Sequence, residues 1–198
     1  HSKDLVYLKE NMYPIVTEKI NEFLESHRKD LDGIYISGGE PLMHEGVVSF
    51  LQYAKTLNYK IKIHTNGMFY ERLKTILAQK LVDHVSLDIK NAPSAYAKTC
   101  GVEDMDLKDI EKSLDLLKQS VVPYDICVTL VDELHNQETI EELGEWLQGV
   151  DTVILQPFED SETTIDHSLH RPSFEVVLKY KNIFEKYVKH VKIRGDQA

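Results

Sequence analysis

Apolar positions along this chain follow two spacings in turn. Short runs in which Ile, Val and Leu alternate with polar residues read as strands: Gly33–Ser37, Lys60–His64, His84–Asp88, Asp125–Val131, Thr152–Gln156 and Val188–Arg194. Between them lie stretches with apolar residues every three or four positions, which read as helices: Gly46–Leu57, Tyr70–Gln79, Leu107–Gln119, Glu138–Leu147 and Ser173–Tyr187. An opening helix is expected over about Tyr13–Lys29. Repeated strand–helix alternation predicts a parallel sheet, because each parallel return needs a crossover. No linker, low-complexity tract or repeat divides the chain, so residues 1–198 are expected to form a single α/β domain. Six strands fit an open doubly wound sheet or a partial barrel.

Parallel α/β folds carry their chemistry at the carboxyl ends of the strands. Side chains two apart on a strand share a face. Ser86, Asp88 and Lys90 therefore stand together, opposite Val85, Leu87 and Ile89. The same alternation parts Lys60, Lys62 and His64 from Ile61 and Ile63, Thr129 from Val128 and Leu130, Gln156 from Leu155, and Arg194 from Ile193. One face is expected to be apolar and covered by helices, the other to become polar toward the strand ends. Singly, each polar residue has a plain explanation: Asp88 and Lys90 as an ion pair, Thr65-Asn66-Gly67 as a turn. Polar groups that close strand after strand are better read as one site.

The stretch Tyr35–Met43, YISGGEPLM, sits at the first of those ends. Paired glycines after a strand often cradle a phosphate on backbone amides, but Glu40 would repel one. A ligand that accepts both the open backbone and the carboxylate carries a positive group. With Glu40 and Asp88 for an ammonium and Lys90 for a carboxylate, the simplest such ligand is an α-amino acid moiety.

Composition narrows the classes further. The 198 residues have 42% hydrophobic and 28% charged content, ordinary for a globular protein with a sizeable core. A formal charge of −10 argues against nucleic-acid and membrane-surface partners, which need a basic face. No apolar run reaches membrane-span length and no signal peptide is visible. Two cysteines, Cys100 and Cys127, lack metal-site spacing, so a reducing, cytoplasmic setting is expected.

Gly38-Gly39-Glu40-Pro41 after a strand resembles the glycine–glycine–glutamate motif of radical SAM enzymes, which holds the methionine amino group of S-adenosylmethionine. IKIHTNG (61–67), VSLDIK (85–90) and VILQPF (153–158) come after it in that family's order. The likeness runs over nearly the whole chain and is closest to the activating proteins of glycyl radical enzymes, especially the anaerobic ribonucleotide reductase activase. It implies a partial (β/α)6 barrel, a four-iron four-sulfur cluster, and reductive cleavage of S-adenosylmethionine to a 5′-deoxyadenosyl radical. That radical would take hydrogen from a glycine of a partner such as anaerobic ribonucleotide reductase, with flavodoxin or ferredoxin as electron donor. By the same likeness, cofactor contacts fall on Gly38, Gly39, Glu40, Thr65, Asn66, Ser86, Asp88, Lys90, Thr129 and Gln156.

The family's C-x-x-x-C-x-x-C loop is absent, and HSKDLV resembles the segment directly after the third cysteine of that loop. The first strand and cluster loop are therefore expected before His1, and this chain alone is expected not to cleave S-adenosylmethionine. His64 stands where activases often have an aspartate that helps bind a monovalent cation, Cys127 where relatives have an arginine, and Glu159 where the formate-lyase activase type has a histidine. Other readings are a small-molecule radical SAM enzyme of the deazapurine-synthase type, a Schiff-base aldolase using Lys90, and a ligand-binding barrel that has lost its cluster. Asp88 counts against the aldolase, since a neighbouring carboxylate favours the ammonium form of Lys90 over the nucleophilic amine.

Overall fold

A computed structural model describes residues 15–162 and 164–195. Its elements run α1 (Thr17–His27), β1 (Gly33–Ile36), α2 (Val47–Thr56), β2 (Lys60–Thr65), α3 (Tyr70–Ala78) and β3 (His84–Asp88). A short helix α4 (Tyr96–Cys100), α5 (Lys108–Lys118), β4 (Tyr124–Leu130), α6 (Gln137–Trp146), β5 (Thr152–Pro157), α7 (Phe174–Phe184) and β6 (His190–Ile193) complete them. All six expected strands are present, with ends shifted by a few residues at most. The opening helix starts at Thr17; Tyr13 of the expected range and the HSKDLV segment lie outside the described residues.

The strands form one parallel sheet in chain order, β1 to β6. Crossovers that follow the general right-handed rule and always advance in one direction place the crossover helices α2, α3, α5, α6 and α7 on the same face. The result is a partial (β/α) barrel with a helix-covered convex side. Alternation settles which residues face the helices: Ile61, Ile63, Val85, Leu87, Ile126, Val128, Val153 and Leu155 are all at most 1% exposed and lie in the hydrophobic core. Burying each such side chain contributes roughly 1.5–3 kcal/mol.

The opposite, concave face carries the polar members of the strands. Its deeper part is a network on Asp125, whose carboxylate accepts from Ser86 Oγ (2.6 Å), His84 Nε2 (2.6 Å) and Lys62 Nζ (3.2 Å). Burial alone would raise this carboxyl, but those three bonds outweigh it and hold it below the ordinary aspartate range. The Cys127 thiol also points to Asp125, at 3.4 Å, and its burial pushes it up to about 12.

Candidate functional site

After β1 the chain turns sharply. Gly38 has φ +127°, a backbone region that side chains disfavour, and a Cβ placed on Gly38 or Gly39 would meet nothing within 4 Å. The glycines therefore open space rather than fill a tight contact. Glu40 then starts a short 3₁₀ turn, Pro41–Met43, and caps it by accepting from the Leu42 amide at 3.0 Å. Leu42 is fully buried, and its carbonyl accepts from the Arg72 guanidinium on α3. The turn is thus anchored from below and from the side.

The Glu40 carboxylate is clamped from β2 as well. Thr65 Oγ1 donates to Glu40 Oε1 (2.7 Å) and the Asn66 amide donates to Oε2 (2.7 Å). A carboxylate offers about four lone-pair sites. With two donors on Oε1 and one on Oε2, a site on Oε2 is left for a ligand. Gly67, at φ +78°, completes the turn: its amide donates to Thr65 Oγ1 (3.2 Å) and its carbonyl accepts from Ser113 on α5 (2.7 Å).

From β3 come Asp88 and Lys90. The ammonium of Lys90 donates to Asp88 Oδ2, while Asp88 Oδ1 is buried with no hydrogen-bond partner among the described residues. The backbone of this segment is fixed from β4 and its loop. His135 accepts from the Val131 amide at Nδ1 (3.1 Å), and its Nε2 lies 3.0 Å from the Lys90 carbonyl. Burial lowers the pKa of His135, which suits a neutral ring accepting at one nitrogen and donating at the other. Asn91, fully buried, donates to the Leu134 carbonyl (2.7 Å).

One cavity of about 590 Å³ is lined on its polar side by Gly38, Gly39, Glu40, Thr65, Asn66, Asp88 and Lys90. Its other wall is mainly apolar: Met68, Tyr96, Val102, Met105 and Ile110. A ligand with a zwitterionic end and a large flat or apolar end fits such a division. Three of the expected contact residues are not among the lining. Ser86 is 1% exposed and spends its hydroxyl on Asp125. Gln156 accepts from Arg194 (2.9 Å), and Thr129 lies beside it in the β4–β5 register. Glu159 pairs with Arg171 (2.9 Å) away from this cavity.

Four features of the site carry no signal legible in the sequence. Part of the apolar wall, Tyr96, Val102 and Met105, comes from α4 and the loop after it, a helix too short for periodicity to reveal. His135 and Asn91 act across more than forty residues. Tyr35 Oη shares a hydrogen bond of 2.9 Å with His64 Nδ1, and His64 lines the cavity. A second cavity of about 780 Å³ lies beside the same turn, lined by Ile15, Ile20, Asn21, Phe50 and Tyr53.

Comparison with known proteins agrees with this geometry. The sequence profile of the Radical SAM superfamily matches residues 6–148. A Methanocaldococcus jannaschii protein whose name assigns it to the glycyl-radical enzyme activating enzymes is 30% identical over 169 residues, 82% of this chain and 70% of that protein. In fold the chain is similar to a domain of a pyruvate-formate lyase-activating enzyme from Bacteroides vulgatus, with TM-score 0.65 and 20% identity over 82% of this chain and 99% of that one. It is also similar to Streptococcus suis SuiB bound to S-adenosylmethionine, with TM-score 0.72 and 13% identity over 95% of this chain and 45% of that one. The chain belongs to the radical SAM superfamily of oxidoreductases.

Proposed function

We propose that this protein uses S-adenosylmethionine to install a glycyl radical on a partner enzyme, of which anaerobic ribonucleotide reductase is the first candidate. Family membership implies S-adenosylmethionine and a four-iron four-sulfur cluster. The cavity fits the first. A free lone pair on Glu40 Oε2 and the unpartnered Asp88 Oδ1 suit an ammonium, Lys90 suits a carboxylate, and the apolar wall suits an adenosyl group. The cluster does not fit the described residues. Such clusters are held by cysteine thiolates, whereas Cys100 is exposed and Cys127 is buried beside Asp125, and no group of three ligating side chains occurs among the described residues. Such a cluster, if the protein held one, would supply the electron for reductive cleavage.

What these residues do is hold and orient. The Gly38–Gly39 backbone leaves room for the amino-acid end, Glu40 and Asp88 accept hydrogen bonds from its amino group, and Lys90 donates to its carboxylate. This fixes the sulfonium end of the ligand against strand ends whose backbone is itself pinned. The observation that carries the reading is this clamped Glu40–Asp88–Lys90 cavity at the ends of β1 to β3. The 30% identical relative supports a glycyl radical enzyme as partner, and the sheet edges at β1 and β6, unpaired among the described residues, leave the concave face open for a protein segment. The electron donor is proposed to be flavodoxin or ferredoxin. Electron paramagnetic resonance of the complete protein mixed anaerobically with the ribonucleotide reductase, S-adenosylmethionine and a reductant should show a glycyl doublet. Turnover of small molecules alone would refute the partner and favour the deazapurine-synthase type.

A further inference from the structure

Charge is spread unevenly along this chain. Residues 179–194, the second half of α7 and all of β6, hold six of its 23 Lys and Arg but one of its 33 Asp and Glu. The last unit is therefore basic in a protein of formal charge −10. On β6, Val191 and Ile193 pack against the core, which sends Lys192 and Arg194 to the concave face, both exposed. Lys192 stands beside Ile154 of β5 in the register. Arg194 donates to Gln156 at 2.9 Å, and its charge is felt at His64 on β2 and at Cys127 on β4. Its guanidinium thus stands over the concave face rather than turning away from it.

The carboxylates within reach are already spent. Asp88 is taken by Lys90, Asp125 by Lys62 and His84, Asp151 by Lys189, and Glu159 by Arg171. Among the described residues neither Lys192 nor Arg194 has an ion-pair partner, and the strand that carries them has no neighbour on its outer side. Building on the partner reading above, we propose that β6 is a basic lip of the concave face: Lys192 and Arg194 receive carboxylates of an acidic segment of the glycyl radical enzyme as it enters. The fork of Arg194, oriented by Gln156, suits a bidentate carboxylate, and Lys192 adds a point charge two residues before it. Exposed rim charges of this kind set the encounter rate and its orientation more than the final affinity. The rest of this acidic chain repels an acidic partner, so the lip selects the direction of approach.

Stopped-flow association of the complete protein with the anaerobic ribonucleotide reductase tests this at low and at physiological salt. The double variant Lys192→Glu, Arg194→Glu is expected to associate about tenfold more slowly at low salt. The gap should narrow at 0.15 M, where exposed charges are screened beyond about 8 Å. Arg28→Glu with Lys29→Glu changes the net charge equally, from exposed positions at the far end of α1, and is expected to leave the rate near that of the wild type. Both variants should bind S-adenosylmethionine as the wild type does. Carbodiimide, which joins an ammonium to a carboxylate in contact with it, should link Lys192 to an Asp or Glu of the reductase. Equal slowing by the two variants, no slowing by either, or a loss of S-adenosylmethionine binding in the β6 variant would overturn the lip. A labelled Gly-Ser peptide with four glutamates serves as a second probe, and the wild type should bind it more tightly than the β6 variant does. A wild type that binds this peptide but not the reductase would overturn the partner reading and leave the lip standing; one that binds neither would overturn both.

Discussion

Replacing Thr65 by valine keeps the size of the side chain and removes only its hydroxyl. Thr65 is 1% exposed, so no water takes over what the hydroxyl does. Two bonds are lost: the donation to Glu40 Oε1 at 2.7 Å and the acceptance from the Gly67 amide at 3.2 Å. A hydrogen bond to a charged group contributes roughly 1.5–3 kcal/mol, and a buried amide left unpaired costs roughly 1–3 kcal/mol. The two share one hydroxyl and do not add fully, so a loss of about 2–4 kcal/mol is expected. Thr65→Ser keeps both bonds and sheds one methyl, for about 1 kcal/mol. Urea unfolding with an unchanged slope would measure both. If valine falls within about 0.5 kcal/mol of the wild type, the hydroxyl does not hold Glu40, and the clamped-carboxylate account of the site is wrong.

Glu40→Gln should weaken S-adenosylmethionine by roughly tenfold to a hundredfold. Because the glutamine amide nitrogen cannot accept from Asn66, the same change should cost stability; methylthioadenosine, which lacks the amino-acid end, should bind unchanged, and calorimetry separates the two. Since burial lowers the pKa of His135, the unfolded chain binds its proton more readily. The stability this residue contributes is complete above the unfolded value of about 6.5 and is lost as pH falls toward the lower folded value. Urea midpoints at pH 7.5 and pH 5.5 should therefore differ more in the wild type than in His135→Gln, and equal differences would refute the assignment. With Cys100 exposed and Cys127 buried and pushed up to about 12, a thiol reagent at pH 8 should label one cysteine in the native protein and both in urea; native labelling of both would show that the Asp125 network opens.

Strand alternation makes much of the fold legible, because a period of two assigns a face without reference to distant residues. It makes Asp88 and Lys90 legible as a pair for the same reason. Depth along a strand is another matter. Ser86 shares the face of Asp88 but lies one pleat lower, where Asp125 of the neighbouring strand claims its hydroxyl. Thr65 and Asn66 read in the sequence as ligand contacts, whereas the bonds they make are to Glu40, a carboxylate 25 residues before Thr65. No local pattern encodes that pairing. The wall from α4 is hidden because a five-residue helix, entered through Pro93 and ended by left-handed Gly101, shows no periodicity.

Because the strands lie in the sheet in the order of the chain, translation sets the order in which the site is built. Glu40 leaves the ribosome with only the Leu42 amide to hold it, and gains Thr65 and Asn66 about one βα unit later. Asp88 and Lys90 come next, but the Lys90 carbonyl meets His135 only once β4 and its loop have been made. A nascent chain stalled short of His135 should therefore protect the Asn66 amide from hydrogen exchange and leave the Lys90 segment open; equal protection of both would contradict this order. The last fastening of the cavity is thus applied by a histidine that does not line it, from a loop that does not yet exist when the carboxylates are in place.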